Sequence, residues 1–166
     1  MIGANTLCCC RGFVGVFFIY WCIKLRQHHF LRLVENNVGN PHTAPWQKWQ
    51  NCLVGFQEAF NNLLKAANGK QATLDHWGVS LFAGCYNYRL MRGGNSLSMH
   101  SWGCAIDLDP ANNSLSDNTP RFAQFPEVLD AWARTGAVWG GDWNGNKNTL
   151  DERRCDGMHW QFARLR

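Results

Sequence analysis

Residues 98–110, SMHSWGCAIDLDP, place a histidine and two aspartates inside a run of small and apolar residues that otherwise reads as buried strand. Charged groups in such a setting are costly unless something pairs with them. Along CAIDLD the residues alternate, Ile106 and Leu108 on one face, Ala105, Asp107 and Asp109 on the other. One face therefore packs inward while the other turns carboxylates toward a shared space. His100 precedes them across the turn-forming SWG, where Gly103 allows close backbone approach. The end of the chain repeats the pattern. Met158, Trp160 and Phe162 alternate with His159 and Gln161, and Asp156 stands three residues before His159 across a glycine.

Two imidazoles and one carboxylate form a ligand set suited to catalytic zinc, which keeps its fourth position open for water. Asp156 is then the natural extra group. A carboxylate beside a metal, but not on it, can take a proton from water and later pass it to a leaving amine. For any one of these residues alone the plainer reading is a structural histidine or a capped turn. The joint pattern, H-x6-D with a distant D-x-x-H, is what points to chemistry.

The segments SMHSWGCAIDLDP, WGGDW and DGMHWQF, in this order and spacing, resemble the zinc D-Ala-D-Ala carboxypeptidase and L-Ala-D-Glu endopeptidase family, most of all its bacteriophage endolysin branch. The likeness runs from about Trp46 to Arg166. It implies that His100, Asp107 and His159 hold one Zn2+ and that Asp156 takes the place of the general base, a Glu in many members and an Asp in endolysin-type ones. It implies that Ser98 contacts the peptide near the metal. It also implies an arginine, at the end of a preceding strand, that polarises the scissile carbonyl. GCYNYRLMRGG offers Arg89 and Arg92, and Arg89 is the choice because it stands where that strand is expected to end. Such a guanidinium stabilises developing negative charge. The ligand types favour zinc, though Mn or Co can occupy the same donors. Asp109 has two readings, a partner orienting a ligand imidazole or a cap on the turn begun by Pro110; the turn is preferred. Trp143, in the WGGDW loop, is expected at the pocket wall over the substrate, with a core tryptophan as the alternative. His28, His29, His42 and His76 have no matching partner and are set aside.

These groups need a scaffold. ENNVGNPHTAPWQ is polar with two prolines and reads as a linker, so residues 1–40 form an apolar segment plus linker and residues 41–166 the catalytic domain. Beyond it, Trp46, Trp49, Leu53, Phe56, Phe60, Leu63 and Leu64 recur at helical spacing, closed by Gly69. WGVSLFAGCY and CAIDLD read as strands, FPEVLDAWARTGA as a second helix, and GMHWQFARL as a last strand. With no regular βαβ repeat, the order predicts an α+β domain with a small, mostly antiparallel sheet flanked by helices. The resemblance implies the fold shared by these peptidases and hedgehog-type domains.

The 166 residues suffice for one domain with a short appended segment. A net charge of +4 suits an acidic surface such as a cell wall, and no basic block or aromatic ribbon argues for nucleic acid. The eight cysteines contain no C-x-x-C pair, and Cys85 and Cys104 sit in apolar runs; the expectation is free thiols and synthesis in a reducing compartment. Residues 12–25, GFVGVFFIYWCIKL, are apolar but shorter than the ~20 residues of a spanning helix. A weak membrane anchor, a dispensable leader and a packed hydrophobic element all remain open. If the run spans, Lys24, Arg26 and Arg32 favour keeping the rest of the chain on the cytoplasmic side. The functional expectation is a monomeric zinc peptidase acting on peptidoglycan stem peptides from the wall side. The rival is a non-catalytic zinc-containing binding or structural module of the same fold.

Overall fold

The computed structural model describes residues 44–162, with side chains from Cys52 onward. The apolar run 12–25 and most of the linker therefore lie outside the described residues. Helix α1 (Ala44–Ala66) starts within the expected linker, with Pro45 in its first turn, where a missing N–H costs nothing. Its buried residues, Cys52, Phe56, Ala59, Phe60 and Leu63, recur every three or four positions and face the core. Past its end Gly69 adopts φ +71° and donates to the Leu64 carbonyl at 2.9 Å, the close expected of that glycine. Helix α2 (Gln71–Trp77) buries Leu74 and Trp77.

Four short antiparallel strands follow: β1 (Phe82–Gly84), β2 (Ala105–Leu108), β3 (Val138–Trp139) and β4 (His159–Gln161), in the spatial order β1-β2-β4-β3. Helix α3 (Pro126–Ala133) begins on its proline and packs across α1, where Asn62 donates to the Ala131 carbonyl at 3.2 Å. The domain is thus α+β, a small antiparallel sheet flanked by helices. Trp160 on β4 stacks on Trp132 of α3 at 4.8 Å and on Trp139 of β3 at 5.5 Å. This aromatic layer, with Ile106 and Leu108, forms the inner face of the sheet. Burying such rings contributes a large share of the stability. Among the described residues no helix is long and apolar enough to cross a membrane.

Two expectations are corrected. Cys52 and Cys104 form a disulfide that ties α1 to the residue before β2; among the described residues only Cys85 and Cys155 are free. Partners 52 residues apart, one on a helix and one just before a strand, leave no spacing signal. Disulfides are typical of oxidising compartments, and the expectation of a free thiol at Cys104 is overturned. The strand expected over WGVSLFAGCY shrinks to Phe82–Gly84, because Gly78 at φ +83° closes α2 inside the apolar run.

Candidate metal centre and active site

Asp107 and His159 are cross-strand partners, which directs both side chains to the same face of the sheet. Their neighbours Ile106 and Trp160, also paired, go to the opposite face and anchor both strands in the core. His100 arrives on a 3-10 helix (Met99–Trp102) capped by the Ser98 hydroxyl, which accepts from the His100 N–H at 3.3 Å. Gly103, at φ +63°, turns the chain from that helix toward β2. The sequence thus delivers three donors to one point through one strand pair and one capped turn.

The donor atoms form a compact triangle. His100 Nε2 lies 3.1 Å from His159 Nδ1, and Asp107 Oδ1 is 3.2 Å from each nitrogen. The outward nitrogens are engaged elsewhere. His100 Nδ1 donates to the Cys85 carbonyl at 2.6 Å, and His159 Nε2 donates to Gln161 Oε1 at 2.9 Å. A neutral imidazole carries one N–H, so both ring protons point away from the centre. Two nitrogen lone pairs and a carboxylate then face one another at contact distance, an arrangement that calls for a cation. Ligands ~2.0–2.1 Å from a tetrahedral zinc stand about 3.3 Å from each other, close to the observed edges. The donor set fits zinc, with both imidazoles oriented by outer partners in the way ligand histidines commonly are.

The electrostatics show the same demand for positive charge. Burial disfavours a charged His159, but its hydrogen bond with Asp107 and that carboxylate's charge outweigh burial and raise its pKa. Burial would likewise lift Asp107, yet hydrogen bonds and charge from His100 and His159 hold it well below the usual carboxylate range.

Asp156 sits beside this triangle. Its N–H donates to the Gly140 carbonyl at 2.7 Å, and its own carbonyl accepts from the His159 N–H at 3.0 Å. A Cβ at residue 140 would run into that Asp156 carbonyl, so only glycine lets the two segments meet. Asp156 Oδ1 is buried without a hydrogen-bond partner. Burial, with the Asp107 charge adding to it, pushes the Asp156 carboxyl upward against the pull of His159, His100 and Arg92. A buried acceptor with nothing to accept from is a group held ready for a proton.

Asp107, Asp156 and His159 border a cavity of about 590 Å³, whose wall includes Ser98, Arg89 and Arg92. Trp143 also lines it, with its ring 5.6 Å from that of His159 and its Nε1 donating to the Arg154 carbonyl at 2.8 Å. Arg89 does not stand at a strand end, since β1 stops at Gly84. Its backbone is instead pinned by Ser101, whose hydroxyl accepts from the Arg89 N–H at 3.0 Å and donates to the Arg89 carbonyl at 2.8 Å. Asp109 leaves the face that carries Asp107. At φ +44° it breaks the strand alternation, and its fully buried carboxylate accepts twice from Asn112, at 2.9 and 3.0 Å, and lies 3.8 Å from Arg121. It is a turn residue, as preferred, and shares no space with Asp107. His76, set aside earlier, packs its ring against Phe125.

Sequence reasoning missed three participants. Gln161 had a signal, since a residue two positions from His159 on a strand shares its face. The Cys85 carbonyl had none, because a main-chain acceptor carries no residue-type signature. Arg154, on an irregular segment, had none either.

Fold and site together define an α+β domain with a His-Asp-His centre open to a cavity and flanked by a carboxylate whose buried Oδ1 accepts no hydrogen bond. Residues 92–162 match the family model described as D-alanyl-D-alanine carboxypeptidase. The match spans Arg92, Ser98, all three metal-site residues and Asp156, begins three residues after Arg89, and supports a peptidase of this kind. No curated protein and no solved structure matches the chain.

Proposed function

We propose that the protein is a zinc peptidase that hydrolyses an amide bond in the peptide stem of peptidoglycan, at L-Ala-D-Glu or D-Ala-D-Ala, in the manner of a phage or prophage endolysin. The observation that carries this reading is the juxtaposition of Asp156, whose buried Oδ1 has no hydrogen-bond partner, with the His100-Asp107-His159 triangle at one cavity. The family match supports the wall as the place of action, and the disulfide agrees with the oxidising side of the membrane.

His100, Asp107 and His159 would hold the ion. When bound, zinc polarises a carbonyl and makes hydroxide available near neutral pH by lowering the pKa of water to ~7. Asp156 accepts the proton from the attacking water and returns it to the departing amine. Arg89 hydrogen-bonds the scissile carbonyl oxygen as negative charge develops there; Arg92 is the alternative from the same wall. Ser98, while capping the 3-10 helix, presents its hydroxyl to the peptide backbone, and Trp143 covers the substrate beside His159. A non-catalytic module would have no use for Asp156 in this position.

The reading is tested on chloroform-permeabilised Gram-negative cells and by mass analysis of the muropeptides released. Zinc-loaded protein is expected to yield fragments cut at a single type of amide bond, and to clear the suspension where that bond is L-Ala-D-Glu, whose cleavage detaches the cross-linked stems. Chelated protein is expected to do neither. Absence of clearing and of new fragments with zinc-loaded protein contradicts the proposal.

A further inference from the structure

The cavity carries more positive charge than its proposed chemistry uses. Arg89, Arg92 and Arg154 all line it, and among the described residues none of the three makes an ion pair. Sheet order sets them on two sides of the centre. Arg89 and Arg92 belong to the segment after β1, closed by the Leu90–Leu97 bridge. Arg154 is tied through its carbonyl to Trp143, in the segment that follows β3. Strands β1 and β3 are the opposite edges of the sheet, with Asp107 on β2 and His159 on β4 between them. The cavity beside the centre is therefore walled by arginines from two separate segments of the chain. One arginine is accounted for by the scissile carbonyl, and the charge of Arg92 acts on Asp156. Arg154 has no assigned role.

We infer that Arg154 is a specificity-determining residue that binds a free carboxylate on the residue whose amine is released. This rests on the peptidase reading above and deepens it. Both candidate bonds share one chemical feature: the leaving residue bears a carboxylate on the carbon next to the scissile nitrogen. It is the chain terminus in D-Ala-D-Ala, and in the stem it is the α-carboxylate of a D-Glu linked onward through its side chain. A guanidinium matches a carboxylate with two parallel hydrogen bonds. The Trp143 Nε1 bond fixes the main chain of Arg154 while the residue stays exposed at the cavity, with no ion-pair partner among the described residues.

The test compares kcat and KM of zinc-loaded protein on two pairs of acylated peptides, L-Ala-D-isoglutamate against its α-amide and D-Ala-D-Ala against its C-terminal amide. Wild type is expected to prefer the acid of the cleaved pair by about ten- to a hundredfold, chiefly in KM. Arg154→Gln is expected to cleave acid and amide with equal kcat/KM. Arg154→Lys, which keeps the charge but not the fork, retains part of the preference. Zinc content and thermal unfolding of each variant establish that it is folded and loaded. Acid preference undiminished in both variants, or equal losses on acid and amide, overturns the role of Arg154 and leaves the peptidase reading intact. Cleavage of neither pair nor of whole peptidoglycan by wild type overturns both.

Discussion

Replacing Gln161 with Leu tests whether the centre is held from outside the triangle. Gln161 is buried, and its Oε1 accepts the His159 Nε2 proton at 2.9 Å. In the leucine variant that N–H has no acceptor in a ring almost closed to solvent. The cost of an unsatisfied buried donor is about 1–3 kcal/mol. The ring can escape it by moving its proton to Nδ1, the atom that faces Asp107 and His100, and this form cannot bind a cation. Either way zinc binding bears the penalty, and affinity is expected to fall about ten- to a hundredfold, the range typical of lost outer partners of ligand histidines. Gln161→Glu restores an acceptor at the same place and is expected to return the affinity to within a few-fold of wild type. The assay is competition for zinc against a chromophoric chelator at fixed pH, with thermal unfolding of the chelated proteins as the control for folding. A zinc affinity of Gln161→Leu within twofold of wild type would refute the claim that this hydrogen bond fixes the ligand tautomer.

Further outcomes follow from the same geometry. Asp156→Ala is expected to keep one zinc per chain while kcat on peptidoglycan falls by about 10²–10⁴, and lysis at the wild-type rate would remove Asp156 from the mechanism. Reducing the Cys52–Cys104 bond frees a loop of 52 residues, worth up to about 4 kcal/mol of unfolded-state entropy. The expected fall in Tm is on the order of 10 °C or more, and an unchanged Tm after complete reduction would contradict it. In chelated protein the raised His159 contributes stability that is full below its ordinary value of 6.5 and lost as pH rises through the folded value. The depressed Asp107 contributes above 3.8 and loses its contribution as pH falls through the folded value. Their joint contribution is therefore greatest between those two values. Zinc displaces protons from the imidazole, so the gain in Tm on adding zinc is expected to grow from pH 6 to pH 8. A gain that shrinks over that interval would contradict the ligand assignment.

The shared face of Asp107 and His159 was legible because alternation along a strand is a strong constraint. Asp107 and His159 each sit between apolar neighbours that must go to the core, so their orientation follows from Ile106, Leu108 and Trp160 before any contact is known. The same rule failed two residues later. Asp109 continues the written alternation, but the backbone turns to φ +44° there, and its carboxylate is claimed by Asn112 and Arg121. Helix α1 was readable from its apolar spacing, whereas its start at Ala44 was hidden by prolines that suit a linker and a first helical turn equally. The disulfide and the place of Arg154 depend on which distant segments meet. Cys52 looked like one more apolar residue of a helix, and only the packing of α1 on the sheet brings it to Cys104.

The proposed chemistry requires one cation held by His100, Asp107 and His159, and zinc content after dialysis measures whether they hold it. Wild-type protein is expected to retain one zinc per chain, and His100→Ala, Asp107→Ala and His159→Ala, each shown to be folded, to retain far less under the same conditions. A full equivalent of zinc in any one of these variants, or none in wild type, would contradict it.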